Sequence, residues 1–475
     1  MAITGDDIFF ATISELQERL KAREFSAREL AIAFCDRLEK LGLRYNALAL
    51  SLRPDAIRQA EEVDGDLRRE RFRGPLQGIP YGVKDLLSVA RHPTTWGAKP
   101  YAGQVFDYDA TAVRKLNRTG AVLIGKLAMI ELAGGGGYNS AAASLTGPCL
   151  NPWDRSRWAG GSSSGSGCAV AAGLTPFALG SETSGSIMTP AAFCGVTGLR
   201  PTYGYVSRYG AMALSWTMDK LGPLCRSAED CGLVLQAISG GDTNDPASAG
   251  KSFYYAPQFV RKFSDITLGY APVDFEEYAE ESGRAVFGEA FRAIREMGFK
   301  VKEVELPDLP YGAVTGTVIG AEGSAAFEEL IRSGRVDDLA DREQIAGLKA
   351  GIEIAAKDYL KAMRIRSLVQ REFRKLFFEV NVLVTPTRFT IAPKAAEPLR
   401  SSGPERPQPK SRGLRDLVPA GNLAGLPALS LPCGFDQGLP LGISLVGRPF
   451  YENTLLAIGR EYQRQTDWHR RRPPV

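Results

Sequence analysis

Histidine is almost absent from the sequence. Only two histidines, His92 and His469, occur among 475 residues. Histidine is the usual general base of serine hydrolases and a common ligand of catalytic zinc. His469 stands six residues from the C-terminal residue beside three arginines, and a solvated surface position is the simpler interpretation for both histidines. The scarcity argues against a Ser-His hydrolase and a metal hydrolase, and the sequence predicts neither a metal nor a cofactor.

The sequence also lacks a marked excess of charge and any long apolar run. It has 58 Lys and Arg against 54 Asp and Glu, a formal net charge of +4, and no long run of one sign. No apolar stretch approaches the ~18 residues of a membrane span. Acidic residues stand in the N-terminal segment, where a secretory signal would be basic. These absences predict a protein without nucleic-acid or membrane partners.

Paired cysteines are missing as well. Seven cysteines are scattered along the chain without a CxxC pair. An odd, dispersed set is typical of reduced, mostly buried thiols in a cytosolic protein. We therefore expect free thiols and a cytoplasmic location.

The hydrophobic pattern that is present favours an α/β fold. Residues 112–129 and 166–179 each indicate a helix, a glycine stop and a buried strand, the rhythm of a largely parallel sheet. Hydrophobic residues make up 44% of the chain, as expected for a large core. We interpret residues 1–475 as one domain, with core motifs at 60–240, a variable polar insert at 240–345, a flexible Pro- and Ser-rich loop at 392–413 and a C-terminal core segment at 421–475.

One segment, WAGGSSSGSGCAVAAG at 158–173, concentrates serine and glycine. A flexible linker is excluded because core-like sequence flanks the segment on both sides. Glycine-freed backbone N–H groups can bind phosphate, but the Lys-Ser/Thr ending of a P-loop is missing here. The nearest P-loop-like sequence, DPASAGKS at 245–252, has Asp245 in place of the first glycine. Catalysis is therefore the favoured interpretation of the serine-rich segment.

The choice of a base decides which serine reacts. GSSSG fits the GxSxG nucleophile elbow with Ser163 as nucleophile, but that chemistry needs a downstream histidine, and only His469 is available. A lysine can act as the base when burial or a neighbouring cation lowers its pKa towards neutrality. Lys84 in GIPYGVKDLL has such an apolar setting. A second hydroxyl-rich loop at 179–195 places Ser186 where a helix begins, and free backbone N–H groups there can stabilise an oxyanion.

The segments GIPYGVKD and GGSSSGSGCAVAAGLTPFALGSETSGSIMTPAAFCGVTGLRPTYGYVSRYG resemble the amidase signature family of serine hydrolases. The resemblance extends through residues 92–133 and 421–469. It implies the fold of that family, a single large mixed and twisted sheet covered by helices on both faces. The active site would lie at the ends of the central strands.

The resemblance also implies a Ser–Ser–Lys triad. Ser186 would attack the amide carbonyl, and Ser162 would relay its proton to Lys84. Members of the family hold the bridging serine on a cis peptide bond, here Gly161–Ser162. The backbone N–H groups that would form the oxyanion hole belong to Thr183, Ser184 and Gly185.

Two segments depart from the family pattern. The usual Asp-x-Gly-Gly-Ser-Ile-Arg becomes Glu-Thr-Ser-Gly-Ser-Ile-Met over residues 182–188, so Glu182 needs a partner other than the missing arginine. Gly134 stands where many relatives carry a methionine near the substrate. A glycine there predicts a wider pocket or a close approach of the backbone, unless it serves only the local fold. The predicted substrate-binding residues are Gly134, Gly135 and Ser163, although Ser163 can equally serve its own loop.

The substrate is left open at this stage. A stand-alone hydrolase of a small or aryl amide, which also accepts esters or carbamates, is the leading interpretation, with a homodimer left open. The first alternative is a glutamine-hydrolysing A subunit of a tRNA-dependent amidotransferase, which residues 421–469 resemble. Residues 345–360 show no counterpart of the basic residue with which that subunit binds the α-carboxylate. The second alternative is an inactive binding scaffold, against which the intact triad argues.

Overall fold

A single mixed sheet of eleven strands organises the chain in the computed structural model, which describes residues 5–399 and 409–474. The strands run in the order β1-β3-β2-β4-β6-β5-β10-β11-β9-β7-β8. This confirms the predicted α/β class and the single large sheet. The strands are β1 Leu48–Ser51, β2 Pro80–Lys84, β3 Val122–Leu127, β4 Phe177–Glu182, β5 Thr197–Arg200, β6 Lys220–Cys225, β7 Thr267–Tyr270, β8 Lys300–Glu303, β9 Val382–Pro386, β10 Ala428–Asp436 and β11 Leu439–Gly447.

Helices pack against this sheet and against one another. The second helix begins as its sequence predicts, because Ser26 caps it through a reciprocal bond with Glu29. The α-helices of the described residues are α1 Ile13–Lys21, α2 Ala27–Arg44, α3 Arg53–Arg68, α4 Thr111–Thr119, α5 Ser164–Ala171, α6 Met188–Cys194, α7 Ala228–Ile238, α8 Arg284–Glu296, α9 Tyr311–Ala326, α10 Glu328–Arg332, α11 Arg342–Gly351, α12 Ala356–Glu379, α13 Leu417–Ala424 and α14 Glu452–Gln465.

The central strands β2 and β4 position the candidate site. They pair in parallel, with Tyr81 opposite Phe177 and Val83 opposite Leu179. Every residue of both strands is buried, as expected where helices cover both faces of a sheet. Because parallel strands end at the same edge of a sheet, Lys84 at the end of β2 and the last residues of β4 lie at one edge.

The serine-rich segment forms α5, which packs closely against α6. A Cβ on Gly167 would stand 2.9 Å from the Cβ of Pro190, and one on Gly165 would stand 2.5 Å from the backbone nitrogen of Ala128. Real Cβ atoms essentially never approach a neighbour closer than 3.0 Å. The glycines of α5 therefore allow its backbone to lie directly against Ala128 and against Pro190 of α6.

The region interpreted as a variable insert contributes to the same sheet. Strands β7 and β8 pair in parallel, and β7 also pairs with β9. All four residues of β8 are exposed, which explains why its composition does not indicate a strand. Of the loop at 392–413, residues 400–408 lie outside the described residues.

Two further expectations concern cysteine and membranes. All seven cysteines are buried and free. Within residues 5–399 and 409–474, no helix combines the length and the apolar composition that crossing a bilayer requires.

Candidate active site

Lys84 is the last residue of β2 and is fully buried. Its Nζ lies 2.6 Å from Ser162 Oγ and 2.9 Å from Ser181 Oγ. Burial lowers the pKa of Lys84 to about 7, against the opposing influence of Asp219 and Glu182. A large fraction of this lysine is therefore neutral near pH 7 and can accept a proton from Ser162.

Ser162 lies at the start of the serine loop, where the Gly161–Ser162 peptide bond is cis. Its carbonyl oxygen accepts the N–H of Ile130 at 3.1 Å. The next residue, Ser163, donates its N–H to the carbonyl oxygen of Ser186 at 3.2 Å. The two hydroxyl-rich loops that the sequence singles out therefore meet, and the triad of Lys84, Ser162 and Ser186 stays a prediction.

The hydroxyl groups that follow Ser162 bond to the backbone of neighbouring elements. Ser163 Oγ donates to the carbonyl of Ser181 at 3.1 Å and accepts the N–H of the same residue at 3.2 Å. Ser166 Oγ donates to the carbonyl of Leu179 at 3.0 Å. These bonds fasten the serine loop and α5 to β4.

Ser186 lies in the turn between β4 and α6 and is 9% exposed. Gly185 before it has a φ of +93°, a conformation that side chains rarely adopt. Among the described residues, the backbone N–H groups of Thr183, Ser184 and Gly185 have no hydrogen-bond acceptor. They are available to stabilise an oxyanion, which is the arrangement that the resemblance implies.

Glu182 fixes the conformation of this turn. Its carboxylate accepts the N–H groups of Ile187 at 2.9 Å and Met188 at 3.1 Å, and it pairs with Arg200 Nη1 at 2.9 Å. Asn422 Nδ2 donates to the same carboxylate at 2.8 Å. Burial alone would raise the pKa of Glu182, but Arg200 and these donors lower it to about 2. Arg200 is therefore the cationic partner of Glu182 in this chain.

Asp219 supports the other side of the loop. Its carboxylate accepts the hydroxyl of Thr183 at 2.6 Å and the N–H groups of Leu214 and Ser215 at 2.8 Å each. Burial raises the pKa of Asp219. Sequence reasoning missed Asp219, Arg200 and Asn422, since no local pattern around them indicates a contact with the serine loops.

A buried ion pair braces the end of β2. Lys126 Nζ lies 2.7 Å from Asp85 Oδ1, and both side chains are almost fully buried. Lys126 also donates to the carbonyl of Pro93 at 2.8 Å. Since Asp85 follows Lys84 directly, this pair holds the strand end from which the candidate base projects.

Two cavities adjoin the loop after β4. The first, of about 570 Å³, is lined by Ser181, Thr183 and Asp219, together with apolar residues such as Ala133 and Leu214. The second, of about 400 Å³, is lined by Ser184 and Met188. The loop that carries Ser186 therefore borders two cavities.

The remaining sequence-predicted residues occupy different surroundings. Gly134 has a φ of +86°, and a Cβ there would stand 2.5 Å from the ring of Tyr138. A Cβ on Gly135 would stand 2.8 Å from Leu214, a residue that lines the first cavity. Their role in substrate binding stays a prediction.

The two histidines lie outside the candidate site, and the predicted surface position is wrong for His469, which is buried. The Nε2 of His92 lies 2.6 Å from an oxygen of Asp55, a residue of α3. The carbonyl of His469 accepts a bond from Arg226, and burial lowers the pKa of the His469 ring to about 4.

The profile of the family named Amidase matches residues 29–456. The chain belongs to the amidase signature family. It is accordingly an enzyme that acts on amide C–N bonds. The predicted family and reaction class are confirmed.

Relatives in this family resemble the chain from end to end. The A subunit of the glutamyl-tRNA(Gln) amidotransferase of Moorella thermoacetica is 37% identical, and the alignment covers 99% of each chain. The crystal structure of the peptide amidase of Stenotrophomonas maltophilia is 31% identical, covers 98% of each chain and has a TM-score of 0.83. The A subunit of the amidotransferase of the same name from Thermotoga maritima is 28% identical with a TM-score of 0.78, covering 98% of this chain and 96% of that one.

These comparisons correct one expectation. The predicted absence of a nucleic-acid partner is contradicted, because relatives that match the whole chain are subunits of an enzyme named for glutamyl-tRNA(Gln). The even charge balance on which that prediction rested describes this chain alone. One chain of a complex can reach a nucleic acid through the other chains.

Proposed function

We propose that this amidase hydrolyses the side-chain amide of glutamine, as the A-type subunit of an amidotransferase that acts on glutamyl-tRNA(Gln). The observation that supports the chemistry is the contact of 2.6 Å between Lys84 Nζ and Ser162 Oγ. The similarity over 99% of both chains supports the assignment to an amidotransferase.

The reaction begins with transfer of a proton to the neutral Lys84. Ser162 gives its proton to Lys84 Nζ and takes the proton of Ser186, whose oxygen attacks the amide carbonyl carbon. The carbonyl electron pair moves onto oxygen, and the N–H groups of Thr183, Ser184 and Gly185 stabilise the negative charge. Charge develops only in the transition state, so these preorganised donors accelerate the reaction.

Collapse of the tetrahedral intermediate breaks the C–N bond. The lysine proton returns through Ser162 to the leaving nitrogen, which departs as ammonia and leaves an ester on Ser186. Water then attacks the ester with the same proton relay, releases the carboxylate product and restores Ser186. The triad ends as it began, with a neutral lysine and two hydroxyls.

A second candidate is a stand-alone amidase for small amides. The similarity to a peptide amidase favours it, because the TM-score of 0.83 exceeds the 0.78 of the amidotransferase chain. The identity of 37% to the Moorella thermoacetica amidotransferase chain, against 31% for the peptide amidase, favours the first candidate.

Labelling with a fluorophosphonate tests the proposed chemistry. We expect one adduct on the intact protein, located on Ser186 by peptide mapping and absent from Ser186→Ala. Ser162→Ala and Lys84→Ala should fold normally and label at least about 100-fold more slowly, since each loses the proton relay. An adduct on Ser163, or no adduct on a folded protein, would contradict the mechanism.

Ammonia release separates the two candidate functions. The tagged chain is purified under mild conditions from the cells that express it naturally, and is assayed with L-glutamine and with neutral primary amides. Copurifying subunits together with glutamine-dependent ammonia release support the amidotransferase. A chain that purifies alone and prefers neutral amides supports the stand-alone amidase.

A further inference from the structure

Residues 214–219, here called the support loop, lead into β6 and form part of the wall of the first cavity. Asp219 at the end of this loop accepts the hydroxyl of Thr183 at 2.6 Å. The same carboxylate accepts the N–H groups of Leu214 and Ser215 at 2.8 Å each. The position of Thr183, the first residue after β4, therefore depends on how firmly the support loop is held.

Glu322 of α9 binds the support loop through both of its carboxylate oxygens. Oε2 accepts the hydroxyl of Ser215 and, at 3.2 Å, the N–H of Thr217. Oε1 accepts the hydroxyl of Thr217 at 2.8 Å and that of Tyr359, a residue of α12, at 2.7 Å. Three of the four donors to this buried carboxylate thus belong to the support loop.

The carboxylate of Glu322 interacts with hydrogen-bond donors and not with a paired cation. Within residues 5–399 and 409–474, no lysine or arginine nitrogen lies within 4 Å of its oxygens. A carboxylate can accept all four of these bonds, whereas the side-chain amide of glutamine has a single acceptor oxygen. Hydrogen bonds to an ionised carboxylate are also roughly twice as strong as those between neutral groups. The support loop therefore depends on a carboxylate at this position, and not only on a side chain of this size.

Arg366 of α12 makes a further contact with the same segment, because its Nη2 donates to the carbonyl of Thr217. Gly323, the neighbour of Glu322, brings α9 close to the loop, since a Cβ there would stand 3.0 Å from Leu214 Cδ1. Two helices remote in the sequence from the serine loops therefore fix the N–H, the hydroxyl and the carbonyl of Thr217.

Ser215 connects the two carboxylates. Its hydroxyl donates to Glu322, and its N–H donates to Asp219. Its carbonyl accepts the N–H of Asp219 at 2.9 Å. Ser215 is fully buried, so water does not compete for these bonds. Three hydrogen bonds in sequence therefore join Glu322 to Thr183.

We propose that Glu322 is a positioning residue for amide hydrolysis, which acts on Thr183 through the support loop. The inference rests on the proposed function, in which the N–H of Thr183 helps to stabilise the oxyanion. The donors of an oxyanion hole accelerate a reaction when they are already oriented, since they then need no reorganisation in the transition state. Glu322 supplies this orientation by keeping the support loop, and with it Thr183, in one conformation.

The rate at which a fluorophosphonate labels Ser186 tests the proposal. Glu322→Met removes every acceptor at a similar side-chain volume, and Glu322→Gln keeps one acceptor oxygen. We expect the limiting rate at saturating probe to fall about 10-fold in Glu322→Met, part of the roughly 10²- to 10³-fold cost of losing a complete oxyanion donor. Glu322→Gln should lie between Glu322→Met and the native enzyme.

Ser215→Ala tests the route. It removes the hydroxyl that reaches Glu322 and keeps the backbone N–H that Asp219 accepts. Labelling should slow to a similar extent, and the double variant Glu322→Met/Ser215→Ala should be about as slow as the slower single variant. Two effects that multiply would indicate independent roles and would overturn the proposal.

Tyr311→Phe is the matched control on α9. It deletes a hydroxyl that donates to the carbonyl of Pro307 at 2.6 Å, away from the support loop. It should lower the melting temperature and leave the labelling rate of the folded enzyme unchanged. If Glu322→Met and Glu322→Gln fold and also label at the native rate, Glu322 only stabilises the fold and the proposal is overturned. Glu322→Gln decides the matter alone if Glu322→Met does not fold.

Hydrogen exchange gives a second measurement that does not require Ser186 to react. The N–H groups of Leu214 and Ser215 are bonded to Asp219 and not to Glu322, so they report on the loop beyond the altered side chain. Both should exchange faster in Glu322→Gln than in the native enzyme, and equal exchange would overturn the proposal. Failure of the native enzyme to label at Ser186 would instead contradict the proposed function.

Discussion

Lys84 is the residue whose protonation state controls the proposed reaction. Burial lowers its pKa from an ordinary value of 10.5 to about 7, so the lysine is increasingly protonated below that pH. A protonated lysine cannot accept the proton of Ser162. We expect the rate of Ser186 labelling to fall about tenfold for each pH unit below 7 and to level off at higher pH.

Two observations check this expectation. Labelling rates between about pH 5 and pH 9 give the apparent pKa, and a profile that is flat across this range would contradict the role of Lys84. Lys84→Arg retains the charge but cannot lose its proton, so it should label about 10²- to 10⁴-fold more slowly.

Glu182 and Arg200 form an ion pair in which neither side chain is more than 1% exposed. Glu182→Gln leaves the arginine charge buried without its partner, and we expect the free energy of unfolding to fall by about 3–5 kcal/mol. The double variant Glu182→Gln/Arg200→Met should regain most of this loss, because the unpaired charge is gone. Urea denaturation measures both, and a single variant as stable as the native enzyme would argue against the pairing.

For single residues, the sequence indicates the chemistry of a side chain better than the residues that it contacts in the fold. The sequence singles out Lys84 and Ser162, which lie 2.6 Å apart, because an apolar run ending in lysine and a glycine-flanked serine are local patterns. Arg200 is not predictable in this way, since its contact with Glu182 depends on β6 lying between β4 and β5, and strand order is not encoded in local periodicity.

The close packing of α5 against α6 can be tested by replacing a glycine of α5. A Cβ on Gly167 would stand 2.9 Å from Pro190 Cβ, so Gly167→Ala should reduce the free energy of unfolding by about 1–3 kcal/mol. Gly288 in α8 is a matched control with no neighbour within 4 Å of such a Cβ. Gly288→Ala should instead stabilise the protein by up to about 1 kcal/mol, the difference in helix propensity.

Thermal unfolding of both glycine variants provides the comparison. The result expected is a lower melting temperature for Gly167→Ala and an equal or higher one for Gly288→Ala. If both variants shift in the same direction, close packing of α5 is not what requires glycine there.

Helices and strands differ in how clearly the sequence predicts them. The helix and strand at 112–129 appear as α4 and β3, because an apolar face, a glycine at position 120 and a buried run are all local signals. Strand β8 is exposed along its whole length, so no alternation of apolar and polar residues marks it. Its backbone pairing with β7 at the sheet edge, and not burial of its own side chains, places β8 in the sheet.

The stability of the whole molecule should depend on pH through Asp230, a buried acid outside the candidate active site. Asp230 accepts the N–H of Ile13 at 3.0 Å and so joins the N-terminal segment to α7. Burial raises its pKa from 3.8 to about 7. Since the folded state holds this proton more tightly than the unfolded state, stability should decrease as pH rises from about 4 to 7.

Asp230→Asn removes the titration and keeps an oxygen that can accept from Ile13. The free energy of unfolding of this variant should change less between about pH 4 and pH 8 than that of the native protein. Denaturation at several pH values measures the two slopes. Equal slopes would exclude Asp230 as the source.

For the whole chain, composition does not predict the binding partners. One sheet, its α/β class and the reaction class are predictable from the segments around Lys84, Ser162 and Ser186. Partners are not, because a net charge of +4 averages over the entire surface and does not describe the complex in which a single chain works.

The parallel pairing of β2 and β4 has a consequence for how the enzyme loses activity on heating. The candidate base is the last residue of β2, and the candidate nucleophile lies four residues beyond β4, so two strands that pair in parallel anchor both residues. Their relative position is kept as long as the sheet and the turn that Glu182 holds persist. Thermal inactivation should therefore coincide with the loss of tertiary structure. No temperature range below the melting temperature should then contain a folded but inactive enzyme.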